Sequence, residues 1–273
     1  MAEGGNGILR LLELEPVDED AFVAPTPTEG PGRLFGGQVA SQSLRAACLT
    51  VEPGRPPHSL HAYFILPGRP GEPLRLDVQR SRDGRSFTTR HVTASQNGTP
   101  IFELVASFHA PEDGFDWQLP GPSGVTPPEE IEPPVLPDFL RATIPFDMRL
   151  ATTPEPGGFP IAHPFWIRSQ TPLDDDPALH ACVMTFLSDM GVVGSARAPG
   201  SLMDRFSGAS LDHAVWFHRP ARADEWLLFS VDPVTNFGAR GLARGTLHTQ
   251  AGVHVASIAQ EALLRPAGEQ RMA

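Results

Sequence analysis

Apolar and polar positions alternate along two long tracts of the chain, and each tract follows a stretch of helical spacing. Alternation sends successive side chains to opposite faces, so it reads as half-buried strand. In the first tract it predicts strands at Ser59–Leu66, Leu74–Arg82, Ser86–Ser95 and Ile101–His109. In the second it predicts strands at Leu211–Arg219, Trp226–Val231, Gly241–Thr249 and Val253–Leu264. Arg82-Asp83-Gly84-Arg85 and Gln96-Asn97-Gly98 are turn chemistry, the second a favoured hairpin signal. Before the first tract, Leu34–Leu49 reads as a helix entered through Gly36-Gly37. Small residues on most of its sides (Ala40, Ser43, Ala46, Ala47) suit a helix gripped closely by a sheet. Before the second tract, Asp176 is a candidate N-cap and Pro177 suits the first helical position. Asp174 and Asp175 favour the positive end of this helix, Gly191 can serve as its C-cap, and Leu179, Val183, Phe186 and Met190 form an apolar stripe. A short strand at Phe146–Leu150 and the apolar segment Pro164–Arg168 precede it. One helix followed by a meander of antiparallel strands predicts a curled sheet wrapped around that helix.

The two tracts echo each other. Tyr63, Phe64 and Pro67 recur as Trp216, Phe217 and Pro220 at one offset. Gly84, Arg90, Gln96 and Gly98 return as Gly238, Arg244, Gln250 and Gly252 at an offset one residue longer. Matches in one order at so long a period mark a duplicated domain, not a solenoid. Between the tracts, residues 111–137 are rich in proline with acids interspersed, which predicts an extended linker. The expected organisation is a first unit over 16–112, a linker over 113–140 and a second unit over 141–266. The polar start of the chain holds one short apolar run, Ile8 to Leu14.

Composition mostly excludes. A net charge of −11 argues against a general nucleic-acid binder. All 21 basic residues are arginine, which removes P-loop phosphate transfer, Schiff-base chemistry and lysine general bases. No apolar run approaches the roughly 18 residues of a membrane span, and no signal peptide or peroxisomal C-terminal signal is visible. Cys48 and Cys182, the only two cysteines, read as buried reduced thiols, so the expected compartment is the cytoplasm.

Candidate chemistry is sparse in the residues alone. There is no Gly-x-Ser-x-Gly elbow, no dinucleotide fingerprint and no Cys/His cluster with zinc spacing. Ser210, Asp212 and His213 are too close along one strand to form a triad; residues 210 and 212 share a face and 213 points away. His213 and His218 read as structural or rim residues. The Gly36-Gly37 entry leaves helix-start N–H groups available to a carbonyl oxygen or anion, or is an ordinary flexible entry. Asp189 is the oddity of the second helix: a carboxylate in the last turn, where the dipole disfavours it. It is either a solvated residue on a frayed end or a functional group.

Taken in order, Phe35-Gly-Gly-Gln38, His58-Ser-Leu-His-Ala-Tyr-Phe64, Arg82-Asp-Gly-Arg-Ser-Phe87, Ala106-Ser-Phe-His-Ala-Pro111, Asp212-His-Ala-Val-Trp-Phe-His-Arg-Pro220 and Gln260-Glu261 resemble the acyl-CoA thioesterase II family. The resemblance runs from about residue 16 to residue 266, apart from the linker. It implies an α+β double hotdog fold: two curved antiparallel sheets, each wrapped around a long central helix. It also implies an enzyme that hydrolyses acyl-CoA to free fatty acid and CoA, without cofactor or metal. Its water-activating residues carry over as Asp189, Ser210 and Gln260, with serine where some members have threonine. Backbone N–H groups near Gly37 and Gln38 would receive the oxyanion. Arg82, Arg85, Arg219, Arg240 and Arg244 are the candidates for the CoA phosphates. The first-unit positions matching the trio fall near Gly36, Pro57 and Ala106, none able to activate water, which predicts one competent site per chain. A homo-oligomer, dimer or tetramer, is the expected assembly. The alternatives within the fold are an enoyl-CoA hydratase and an acyl-CoA-binding protein without turnover.

Overall fold

The computed structural model describes residues 7–28, 32–135, 145–154, 161–201 and 206–266. A short helix, α1 (Gly7–Leu11), opens the chain, and its Ile8 is fully buried, which docks the N-terminal apolar run on the core. Strands β1 (Glu15–Asp18) and β2 (Ala21–Ala24) lead to helix α2 (Gly36–Leu49). The first meander follows as β3 (Pro57–Phe64), β4 (Leu74–Asp83), β5 (Phe87–Gln96) and β6 (Thr99–His109). The second half repeats the plan with β7 (Phe146–Leu150), β8 (Phe165–Ser169) and helix α3 (Pro177–Ser188). It continues through the short helix α4 (Val192–Ser195), β9 (Phe206–Ser210), β10 (Asp212–Phe217), β11 (Leu227–Phe237), β12 (Arg240–Thr249) and β13 (His254–Pro266).

The strands form one continuous antiparallel sheet in the order β1-β2-β4-β5-β6-β3-β10-β13-β12-β11-β8-β7, with β9 also paired to β13. Read from either end the order is the same, with a pseudo-dyad between β3 and β10. The two curved sheets of the double hotdog are therefore joined edge to edge, and neither half leaves its β3-type edge unpaired. Asn97 and Gly98, both at positive φ, make the tight β5–β6 turn. Both central helices are buried on nearly every side. For α3 this corrects the expected stripe: neighbours surround it, as they surround small-sided α2. The helices touch through Ser41 Oγ, which donates to the Cys182 carbonyl at 2.7 Å. Both thiols are free; Cys182 is buried as expected, whereas Cys48 is only half-buried.

Two local details depart from expectation. Asp176 does cap α3, accepting from Ala178 N at 2.9 Å, but the C-cap is Asp189, not Gly191; the left-handed Gly191 turns the chain two residues later. Arg90 and Arg244, matched in the sequence echo, do not share a face. Arg90 is 1% exposed and Arg244 lies outside: β5 buries Thr88, Arg90, Val92 and Ala94 while β12 buries Gly241, Ala243, Gly245 and Leu247, so Ala243, one residue earlier, is the position that faces inward as Arg90 does. The proline-rich segment is partly docked: Gln118 bonds Gly252 O and His254 N, and Arg219 grips Asp116. Residues 136–144 of that stretch lie outside the described residues. Among the described residues, no helix is long and apolar enough to cross a membrane.

Candidate active site

Asp189 sits at the C-terminal end of α3, only 7% exposed, where its own helix dipole repels it. The opposing helix compensates. The N-terminus of α2 abuts this point, and Gly37 N–H donates to Asp189 Oδ2 at 2.8 Å. The approach needs both glycines. A Cβ on Gly36 would lie 2.8 Å from Asp189 Oδ2, and one on Gly37 would lie 2.3 Å from the Phe186 carbonyl. Of the helix-start amides that the sequence offers to an anion, that of Gly37 is thus turned toward a carboxylate of the same chain.

Ser210 and Gln260 reach the same point from the sheet. β9 and β10 run as one strand broken at Leu211, and both lie against β13. Ser210 ends β9 at that break, with Oγ a long 3.5 Å from Asp189 Oδ1. Gln260 points inward from β13, fully buried opposite Ala243, whose small side chain leaves it room. Its Nε2 donates to Ser210 Oγ at 2.9 Å. Burial pushes the Asp189 carboxyl up to about 6. Hydrogen bonds from Gln260, Gly37 and Ser210, and the charge of Arg33, offset only part of that rise.

Asp189 and Ser210 open onto a cavity of 570 Å³ whose wall is contributed by both halves. Phe64, Ile101 and Phe102 line it from the first half and Val193 from the second. A mainly apolar pocket with a few convergent polar groups and one raised carboxyl can hold a greasy chain and move a proton at its mouth.

The remaining sequence candidates fall elsewhere. Gln38 N–H donates to the Phe35 carbonyl, and its side chain bonds Pro25 O and Gln42, so this residue holds α2 in place rather than facing the cavity. Arg82 and Arg85 are exposed at the β4–β5 turn, and Arg244 is exposed on β12. Arg219 is engaged by Asp116, Trp117 O and His254 O. Arg240 pairs with Glu261 at 2.9 Å and lines a second cavity of 460 Å³. The arginines on the main cavity are Arg33 and Arg197, which the sequence reading missed. Arg197 lines both cavities, and its buried Nε has no hydrogen-bond partner. No periodicity singles it out, since it follows a four-residue helix in a loop.

Comparison with known proteins extends the geometry. A family model described as the acyl-CoA thioesterase N-terminal domain matches residues 24–109, and one described as acyl-CoA thioesterase matches residues 139–263. The chain is 33% identical to acyl-CoA thioesterase 2 of Haemophilus influenzae, over 95% of this chain and 97% of that one. It is 34% identical to human acyl-coenzyme A thioesterase 8, over 94% of this chain and 88% of that one. Among solved structures, acyl-CoA thioesterase II TesB2 from Mycobacterium marinum superposes with a TM-score of 0.82 at 37% identity, covering 96% of this chain and 100% of that one.

Proposed function

This chain belongs to the acyl-CoA thioesterase family, and we propose that it hydrolyses acyl-CoA to a free acid and CoA with Asp189 as the base that activates water. The observation that carries the assignment of the base is the buried carboxylate on the wall of the apolar cavity, raised to about 6 yet held by three hydrogen bonds. A base poised there is ionised at neutral pH and still accepts a proton readily. Ser210 and Gln260 supply the hydroxyl and amide that fix the water.

In the reaction so assigned, water attacks the thioester carbonyl carbon and gives its proton to Asp189. The tetrahedral intermediate then breaks its C–S bond, and the leaving CoA sulfur takes that proton. Gly37 N–H orients the base, which leaves the developing oxyanion to other donors at the mouth of the cavity. No acyl-enzyme forms. The two repeats, over 16–112 and 141–266 with a linker between, contribute to one site, and the second carries the trio. The free thiols Cys48 and Cys182 suit a reducing compartment such as the cytoplasm.

The CoA phosphates are assigned to Arg197 with Arg33 and Arg240, because these border the cavities, in preference to Arg82, Arg85, Arg219 and Arg244. Two measurements test the reading. Single-turnover hydrolysis by folded Asp189→Asn should slow roughly 10²–10⁴-fold with little change in binding; a rate within a few-fold of the parent moves the base elsewhere. Arg197→Ala should raise KM for acyl-CoA while leaving an acyl thioester without the nucleotide unaffected. Equal effects on both substrates would remove the phosphates from Arg197.

A further inference from the structure

The sequence leaves His213 as a structural residue facing away from Ser210. It is instead linked to the trio from behind. His213 is fully buried on β10 and each ring nitrogen meets a side-chain hydrogen-bond partner. Its Nδ1 lies 2.5 Å from Gln260 Oε1, and its Nε2 lies 2.8 Å from Ser188 Oγ, on the residue before Asp189. We propose that His213 is a positioning residue whose Nδ1–H fixes the amide of Gln260, and through it the direction of the Ser210 hydroxyl proton. The inference rests on the assignment of Asp189 as the base.

A primary amide presents a donor on one side and an acceptor on the other, and rotating it by half a turn exchanges them. With Nδ1 protonated, His213 donates to Gln260 Oε1. Gln260 Nε2 then donates to Ser210 Oγ, at 2.9 Å. The Ser210 lone pair on that side is taken, so its own proton is directed to Asp189 Oδ1. Reversing the imidazole reverses every bond. Nδ1 would accept from the amide nitrogen, Oε1 would take the Ser210 proton, and Asp189 would lose a donor. Burial keeps the ring neutral by pushing its pKa down to about 4, so only one ring nitrogen carries a proton. The choice is binary, and the ionised carboxylate favours the arrangement that turns the Gln260 amide nitrogen and the Ser210 hydroxyl toward it as donors, beside the Gly37 N–H that both arrangements share. Ser188 can serve either tautomer. It gives its proton to Nε2 in one, and in the other it accepts there while donating to the Thr185 carbonyl, 2.9 Å away. The decision therefore comes from the Asp189 side.

Two experiments test this. Nitrogen-15 resonances of the His213 ring in the native enzyme at pH 7.5 should show Nδ1 protonated and Nε2 not; the opposite tautomer overturns the proposal. His213→Leu should lower kcat roughly 10- to 100-fold, the scale of a misplaced reacting group, with KM within about twofold. Its acid limb should also move to higher pH, because the Gln260 hydrogen bond is among the influences that lower the Asp189 pKa. His213→Asn, which can present an N–H where Nδ1 stands, should recover most of the loss. If the leucine variant melts earlier but keeps kcat and the acid limb, His213 is structural only. Asp189→Asn, measured beside it, separates the two readings: an active Asp189→Asn removes the base assignment, whereas a dead one with an unimpaired His213→Leu removes only this inference.

Discussion

The C-terminal ends of α2 and α3 occupy the same place in the two repeats and are put to opposite uses. The α3 end carries Asp189, a carboxylate against its own dipole, supported by the opposing helix and buried to a pKa of about 6. The α2 end carries Thr50, and a buried arginine fills the space beside it. Arg90 donates to Thr50 Oγ1 at 2.9 Å, to Thr50 O at 3.0 Å and to Asp83 Oδ1 at 2.6 Å. A cation there meets the negative end of a helix and satisfies a terminal carbonyl, so dipole, hydrogen bonding and charge agree. This also corrects the expected counterparts of the trio: the position matching Asp189 is Thr50, not Gly36, which begins a helix rather than ending one. The polar reach into each helix end changes strands as well. Arg90 comes from β5 opposite Ala106, and Gln260 comes from β13 opposite Ala243. With Asp189 as the proposed base, the lesson is that reactivity sits where local electrostatics conflict, and stability where they concur.

That contrast can be broken from either side. Beyond the catalytic loss expected of Asp189→Asn, the largest effect should be on folding in Arg90→Met. Removing the guanidinium leaves Thr50 O without its donor in a buried site, which should lower stability by about 2–4 kcal/mol in urea titrations. kcat per folded molecule should be unchanged; a matching loss of kcat would show that the two ends are not separable.

Next comes the stability of Asp189→Asn. The folded pKa of about 6 lies above the ordinary 3.8, so the folded state holds this proton more tightly than the unfolded one. The parent is therefore favoured below pH 4, loses stability as pH rises to 6, and carries a constant penalty above that. The asparagine variant should be more stable at pH 8 by about 1–3 kcal/mol, with the gap closing toward pH 4. A variant equally or less stable at pH 8 would mean the carboxylate is not strained.

The smallest effect sharpens the electrostatics. The acid limb of kcat should fall near pH 6, set by Asp189. Arg33 is one of the influences lowering that pKa, and it sits exposed at the cavity rim. Arg33→Ala should move the limb upward by a fraction of a unit at low salt and less at high salt. No shift would place the control of the base wholly in burial and hydrogen bonds.

Much of this fold is written locally. Period-two alternation, the Asn97-Gly98 turn and the Asp176-Pro177 helix start each carry their own signal, and the strands fall close to where the pattern puts them. Asp189 is visible as an anomaly because a helix end is a local feature. Ser210 and Gln260 have no such signature and are named only through family resemblance. The rest is decided by which distant segments meet. Nothing within a few residues of Gly37 announces a carboxylate from the other half, and nothing near His213 announces Gln260. A one-residue offset does further damage: it exchanges the faces of a strand, so Arg90 matches Arg244 in sequence while Ala243 takes the inward place in space.

The β3–β10 seam has a consequence for how the molecule can change. Were the halves separate and identical chains, each substitution would appear at both helix ends at once, and an arginine that suits one would be forced on the other. Covalent fusion removes that constraint. The seam keeps the halves in register while the sequence on either side drifts alone, so one end can settle into scaffolding without silencing its twin.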